Sequence, residues 1–444
     1  MTDRSRREFI RNAALSGGGL VLTSLAPSVH IFAGSPNNKV TVGIMGVNSR
    51  GHFLATTFAK LKDVDVCCLC DVDTTALGKA AEAVSKIAGK APQTFTDIRK
   101  LVAQKDIDAI VIAAPDHWHT PAAIMALQAG KHVYVEKPCS HNPKEGELLT
   151  EAQKKYGKIV QMGNQRRSFG NVQQMVQKLH EGVIGRVYFA KGWYANQRPS
   201  IGTGKNIPVP ANLNFDLWQG PAPRKPYKDN LVHYNWHWFW HWGTGESLNN
   251  GTHELDVIRW GLNVDYPTMV SSGGGRFHFQ DDWETPDTQT ITYNFPNNTG
   301  CTWEGRSCNG YGVEGQGRGV IFYGDKGTLY YPGANAYTVF DNEKKVVEQV
   351  KDNTPYDPNN KISPTEALDA LHLQNFVDAI RGTAKQASTI LEGHKSTLLP
   401  QLGNIAYRVG RVLKCNPENG RILNDKEAMN LWSRTYEKGW EVRV

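Results

Sequence analysis

Val40-Thr41-Val42-Gly43-Ile44-Met45 runs directly into Gly46-Val47-Asn48-Ser49-Arg50-Gly51, and this junction restricts the available folds more than any other feature of the chain. An unbroken β-branched run reads as a strand buried on both faces. The hexapeptide after it has the spacing G-x-G-x-x-G, with Asn48 in place of the middle glycine. In such a turn the first glycine bends tightly and the middle one admits a pyrophosphate to the backbone. The last lets helix and strand pack closely. Asn tolerates the left-handed region better than most residues, so Asn48 weakens the pattern without erasing it. Taken alone, the spacing fits any glycine-rich turn.

The context is more specific. Apolar runs at 66–70, 109–113, 132–135 and 159–162 alternate with helical patterns at 52–61, 75–87, 121–129 and 143–156. That alternation predicts an α/β fold, a doubly wound parallel Rossmann sheet over residues 37–164. Asp71 ends the second strand, twenty residues after Gly51, where a carboxylate can accept bonds from ribose hydroxyls. A helix N-cap is the competing role. An acid there repels a 2′-phosphate, which favours NAD over NADP.

From 165 to 385 the pattern changes to strand-like runs separated by long polar loops, such as 187–190, 290–293 and 320–323. This predicts an α+β substrate domain with an open, largely antiparallel sheet. Helices at 372–381 and 403–413 are expected to return toward the first domain, the last of them within a C-terminal segment 386–444.

Residues 1–36 read as a leader. Ser5-Arg6-Arg7-Glu8-Phe9-Ile10 resembles a twin-arginine export motif, followed by a modestly apolar stretch and small residues near Ala33-Gly34. The expectation is a protein outside the cytoplasm, in the periplasm or beyond, with no spanning helix after the leader. Of the net charge of +7, the leader carries part through Arg4, Arg6, Arg7 and Arg11, and the remainder is spread without a basic run, which gives a nucleic-acid role no support. Seven cysteines, three of them crowded at 67, 68 and 70, read as buried thiols and not as a disulfide framework.

Two motifs lie where ligands of open α/β sheets bind, beyond the carboxyl ends of strands: Pro115-Asp116-His117-Trp118-His119 and Glu136-Lys137-Pro138. A third is Asn249-Asn250-Gly251-Thr252-His253-Glu254-Leu255-Asp256. Together they resemble the glucose–fructose oxidoreductase/inositol dehydrogenase (Gfo/Idh/MocA) family, over nearly all of the chain from Lys39 onward. The resemblance implies that Lys137 lies beside nicotinamide and substrate, and that His253 is a general acid/base, with Asn249 in place of a family aspartate one turn earlier. Four apart, Asn249 and His253 would share one helical face. An amide cannot stabilise an imidazolium by charge, so proton transfer falls more heavily on Lys137, whose pKa drops when desolvated. Cofactor contacts are expected from Gly46, Asn48, Ser49, Arg50, Gly51, Asp71, Pro115, His117, His119, Glu136 and Lys137.

His233-Tyr234-Asn235-Trp236-His237-Trp238-Phe239-Trp240-His241-Trp242 is the densest aromatic stretch. It fits a stacking surface for sugar rings or simple packing. The four-residue spacing of His233, His237 and His241 also fits metal ligands, but no acidic or cysteine partner shares it, and no metal is expected. Arg166, Tyr194, Trp236, His237, Asn249 and His253 are the candidate substrate contacts. Arg167, Arg306 and Asp287 are weaker ones, with structural pairing as the alternative, while Glu254 and Asp256 read as caps or pairing partners and Glu254 alternatively as a second acid. The reading is an exported NAD-dependent oxidoreductase acting on a carbinol of a sugar, glycoside or polyol, its cofactor held tightly, and homo-oligomeric by the same resemblance. Its rivals are glycoside hydrolysis through transient oxidation, and sugar binding without catalysis.

Overall fold

The computed structural model describes residues 39–357, 360 and 365–444, so the leader read at 1–36 lies outside the described residues. Six parallel strands, β1 (Val40–Met45), β2 (Val64–Cys70), β3 (Gln93–Phe95), β4 (Ala109–Ile112), β5 (His132–Val135) and β6 (Val160–Met162), form one sheet in the order β3-β2-β1-β4-β5-β6. Alternate residues explain the unbroken apolar runs. Val42, Ile44, Val111 and Tyr134 enter one core, while Met45, Ile110, Ile112, Val133 and Val135 enter another on the opposite face. Helices cover both faces, so no polar position is needed in the strands.

Nine further strands make a second sheet: β7 (Val187–Ala195), β8 (Met269–Gly275), β9 (Thr288–Phe295), β10 (Thr299–Arg306), β11 (Arg318–Gly324), β12 (Gly327–Tyr331), β13 (Tyr337–Asp341), β14 (Val346–Val350) and β15 (Leu413–Lys414). Their order is β14-β13-β12-β11-β7-β10-β9-β8-β15, antiparallel except where β10 runs parallel to β7. Strand β9 alternates cleanly, with Gln289, Ile291, Tyr293 and Phe295 buried and Thr290 and Asn294 exposed.

Several boundaries differ from the sequence reading. The edge strand β3 and the short helix Ile98–Val102 were not anticipated. The helix expected at 121–129 starts at Asp116 and carries Pro121 in its second turn, where the His117 carbonyl that a proline cannot bond accepts from Arg434 instead. The helix expected at 372–381 spans Glu366–Ile380. The one expected at 403–413 spans Ile390–Val409, contains Pro400, and stops at the left-handed Gly410. That long helix packs against Pro143–Tyr156, Gly251–Leu262 and β8, tying the two sheets together. All seven cysteines are free, and five are buried. Among the described residues no helix is long and apolar enough to cross a membrane.

Residues 196–245 leave the second sheet and lie over the first. Thr74 N donates to Asn212 O, Asn214 N to Val72 O, and His117 N to Trp242 O. Nε2 of His233 sits 2.8 Å from Asp73. This cover closes one side of a cleft at the carboxyl ends of β1, β2 and β4.

Three buried histidines give the fold a predictable acid response. Burial pushes His117 down to about 3, and His372 and His394 down to about 4. Unfolded histidine titrates near ~6.5. Above that pH both states keep the rings neutral and stability is full. As pH falls toward 4, the unfolded chain binds protons that the native chain excludes, and stability is lost. The thermal midpoint should drop by roughly 2 °C per pH unit for each ring below about pH 6.5. A midpoint independent of pH across that window would contradict the assignment.

Candidate active site

The turn after β1 is built for close approach. Gly46 has φ +78°, and a Cβ there would lie 2.7 Å from Ala114 N. At Gly51 a Cβ would meet Gly46 O at 1.6 Å, so the packing role expected of the last glycine holds. The turn's tolerant residue was expected to be Asn48, but the positive φ falls on Ser49, at φ 45° and ψ −108°. Both are exposed at the turn's crest, and with Gly46 and Arg50 they line the cleft. Asp71 faces the same cleft, and its carboxylate accepts from Val47 N at 2.7 Å and Asp73 N at 2.9 Å. It is not the helix cap: Asp73 takes that role for Thr74–Ala88, which leaves Asp71 oxygen valences for a ligand. Burial raises the Asp71 pKa. Arg50 bridges Glu136 (2.9 Å) and Asp369 (3.1 Å).

Beyond β4, Pro115 precedes the helix and Asp116 opens it. Pro115, Asp116, Trp118 and His119 line the cleft. His117 does not: the helical turn directs it away, and its Nε2 lies 2.9 Å from Trp218 O. This corrects its expected cofactor role. His119 is a brace, with Nδ1 2.6 Å from Pro138 O and Nε2 2.7 Å from Ala114 O, so it ties the Glu136-Lys137-Pro138 loop to the end of β4. The Lys137–Pro138 bond is cis. Gly163 leaves room for Glu136, since a Cβ would lie 2.9 Å from that carboxylate.

Lys137 Nζ donates to the main-chain O of Asn249 at 2.6 Å and reaches its side-chain Oδ1 at 3.2 Å. The expected continuous helix is interrupted here. One turn spans Glu246–Asn249, another helix runs Gly251–Leu262, and His253 N bonds Asn250 O, not Asn249 O. The break frees the Asn249 carbonyl for the lysine. Asn249 and His253 still face one cleft. Burial, the largest effect, lowers the Lys137 pKa, while Glu136 and Asp116 oppose the fall.

His253 is buried, and its Nδ1 has no hydrogen-bond partner. Burial, then Arg166, Arg318, Lys137 and Arg50, hold it well below the ordinary histidine range. The expected acid/base role therefore narrows to that of a neutral ring taking part in hydrogen bonds, since the same surroundings disfavour its protonated form. His237 Nδ1 lies 2.6 Å from Tyr234 O, which makes Nδ1 the donor and leaves Nε2 as an acceptor.

The remaining candidates divide sharply. Arg166, Tyr194, Trp236 and His237 line the cleft. Arg167 is instead held by Asp256 at 2.8 Å, Glu254 by Arg318 at 2.7 Å, and Arg306 by Glu304 at 2.7 Å. Asp287 accepts from Phe277 N and His278 N. In the aromatic stretch, Trp236, Phe239 and Trp242 join a satellite core, and Trp238 stacks on Trp283 at 3.9 Å. The three histidines share no helical face, because residues 235–238 form only a short 3-10 turn and His241 turns to Pro223 O.

Sequence reasoning missed Asp116, Trp118, Trp218, Asn250 and Arg318 in this cleft of about 570 Å³. Asp116 and Trp118 were inside a quoted motif. Arg318 had no local pattern, and it arrives through the pairing of β11 with β7, opposite Tyr194.

Residues 40–164 match the family model described as "Oxidoreductase family, NAD-binding Rossmann fold", and residues 199–442 match that of the same Gfo/Idh/MocA family's C-terminal alpha/beta domain. A glycosyl hydrolase family 109 protein of Saccharopolyspora erythraea is 31% identical over 209 residues, 43% of this chain and 45% of that protein. Another, of Shewanella putrefaciens, is 27% identical over 213 residues, 43% and 46% of the two chains. The chain thus spans under half the length of the curated relatives it matches. Among solved structures, the WlbA dehydrogenase of Bordetella pertussis, in complex with NADH and UDP-GlcNAcA, superposes with TM-score 0.63 at 19% identity, covering 85% of this chain and 99% of the other. Levoglucosan dehydrogenase, in complex with NADH and levoglucosan, gives 0.63 at 16% identity, with the same coverages. At these identities the likeness is one of fold. The glycine cradle that a Cβ would fill, and the Asp71 carboxylate beyond it, suit a dinucleotide. The chain belongs to the Gfo/Idh/MocA oxidoreductase family, and its first domain is that family's NAD-binding Rossmann domain.

Proposed function

We propose that the protein oxidises or reduces a carbinol carbon of a sugar or polyol, with a dinucleotide retained between the glycine turn and the cover formed by residues 196–245. The observation that carries this reading is the convergence of Lys137, Asn249, His253 and His237 on the cleft that the glycine turn opens into. Gly46, Asn48, Ser49, Arg50 and Asp71 would hold the dinucleotide, whose nicotinamide supplies hydride transfer. Lys137 moves the hydroxyl proton through Nζ, held in line by the Asn249 carbonyl. His253 and the Nε2 of His237 orient the hydroxyl as acceptors. The cover excludes water from the far side of the cleft. A leader of the twin-arginine kind would place the enzyme where no free dinucleotide pool exists, for which retention and recycling are the consistent arrangement.

A second reading is favoured by the family 109 hydrolase relatives. In it, oxidation is transient and the net reaction is glycoside hydrolysis. One experiment separates the two. A panel of free sugars and aryl glycosides is added to purified holoprotein, and nicotinamide absorbance and released aglycone are followed together. Stoichiometric, lasting reduction by free sugars is the expected result. Sustained aglycone release without net absorbance change would replace the first reading with the second. Neither signal across the panel would sink both.

A further inference from the structure

Three arginines line the cleft, and the protein neutralises two of them. Arg50 is held by Glu136 and Asp369, and Arg318 by Glu254. Arg166 is 7% exposed, and its Nε and Nη1 are buried without a hydrogen-bond partner. Among the described residues no carboxylate pairs with it. The Tyr331 hydroxyl is a close polar neighbour, a neutral group that cannot balance the charge, and Glu254 attracts it without a direct contact. Its chain neighbour Arg167, equally buried, is gripped on two sides by Asp256, so pairing is available in this loop and is absent at Arg166. A buried guanidinium left unpaired is costly, and this one stands beside Arg318 and His253 at the substrate end of the cleft.

We propose that Arg166 receives a singly charged anionic group of the substrate, so that the sugar acted on is an acidic one: a uronic acid carboxylate or a sulfate ester. The guanidinium fork matches two oxygens of either group. One guanidinium with no carboxylate in hydrogen-bond contact is matched by one singly charged group, whereas a phosphate monoester brings nearly two charges. The proposal rests on the reading of this cleft as a sugar site, and it goes further by naming the substrate class.

Calorimetric titration of the holoprotein with sodium D-glucuronate, glucose 6-sulfate and D-glucose tests it. One or both anionic sugars should bind about 10- to 100-fold more tightly than glucose, and the stronger of the two identifies the group. Arg166→Gln should erase that gap and keep the dinucleotide, while Arg166→Lys keeps part of the gap. Equal binding of all three sugars would overturn the proposal, as would a gap that survives in Arg166→Gln, or loss of the dinucleotide in that variant. Should the variant fail to fold, thermal unfolding of the wild type decides: glucuronate or the sulfate must raise the midpoint where glucose does not. An anion preference without any nicotinamide reduction would sink the oxidoreductase reading and leave this one standing.

Discussion

Replacing Lys137 by methionine is expected to lower kcat/KM for the preferred sugar by about 10²- to 10⁴-fold while the dinucleotide stays bound. Methionine matches the length of the lysine stem but offers no proton, so the loss reports the proton-transfer step and not packing. The wild-type pH profile carries the same information. Burial lowers the Lys137 pKa, because a low-dielectric site disfavours the ammonium form. The neutral amine, which in the proposed reaction takes the alcohol proton, grows as pH rises through that lowered pKa, so alcohol oxidation should climb with pH earlier than an ordinary lysine allows. Reduction should show the opposite slope. Lys137→Arg should remove the limb, since guanidinium does not titrate in the accessible range. Asn249→Ala should cost far less than Lys137→Met, because the 2.6 Å bond runs to the main chain. Asn249→Asp should move the limb to higher pH, since a carboxylate about where Oδ1 stands favours the ammonium. If Lys137→Met keeps activity within about tenfold of wild type, the lysine has no chemical role.

The parts of this molecule that could be read from its sequence are those encoded by local repetition. The parallel sheet was visible because β1, β4 and β5 bury both faces, so each appears as an unbroken apolar run. Strand β3 escaped because it is three residues at an edge, with two exposed. The helix break at Asn250 was invisible for a different reason. The i, i+4 spacing of Asn249 and His253 fits a continuous helix as well as an interrupted one, and the interruption depends on partners far away. One is Trp303 on β10, against which a Cβ on Gly251 would press at 2.7 Å. His117 was misplaced because the helix begins at Asp116, and a shift of a few residues in a helix start rotates each side chain by about 100° per residue. Arg166 and Arg167 could not be told apart by position. Asp256, presented by another helix, takes one and leaves the other to the cleft.

Gly51→Ala should empty the dinucleotide site and destabilise the first domain, whereas Asn48→Gly, which restores the consensus spacing, should do little. The added methyl would lie 1.6 Å from Gly46 O and 3.3 Å from Ala113 Cβ. No rotamer relieves this, because Cβ is fixed by the backbone. Relief requires the helix Arg50–Lys60 to move away from β1, and that helix buries Phe53, Leu54 and Phe58 in the core it shares with Val42 and Ile44. Overpacking of this kind costs roughly 1–3 kcal/mol even where neighbours can adjust, and here the opposing atom is main chain. Movement of the turn would also misalign Val47 N, which holds Asp71 at 2.7 Å, so the turn and the carboxylate proposed for the ribose would be lost together. Asn48 is exposed and takes no positive φ, so glycine there relieves no strain. Ser49→Gly should instead stabilise modestly, by about 1 kcal/mol, because Ser49 is the residue at φ 45°. The measurement is dinucleotide released on denaturing each purified variant, with its thermal midpoint. Full dinucleotide content in Gly51→Ala would show that the turn tolerates a side chain, and the cradle would then not be where the cofactor binds.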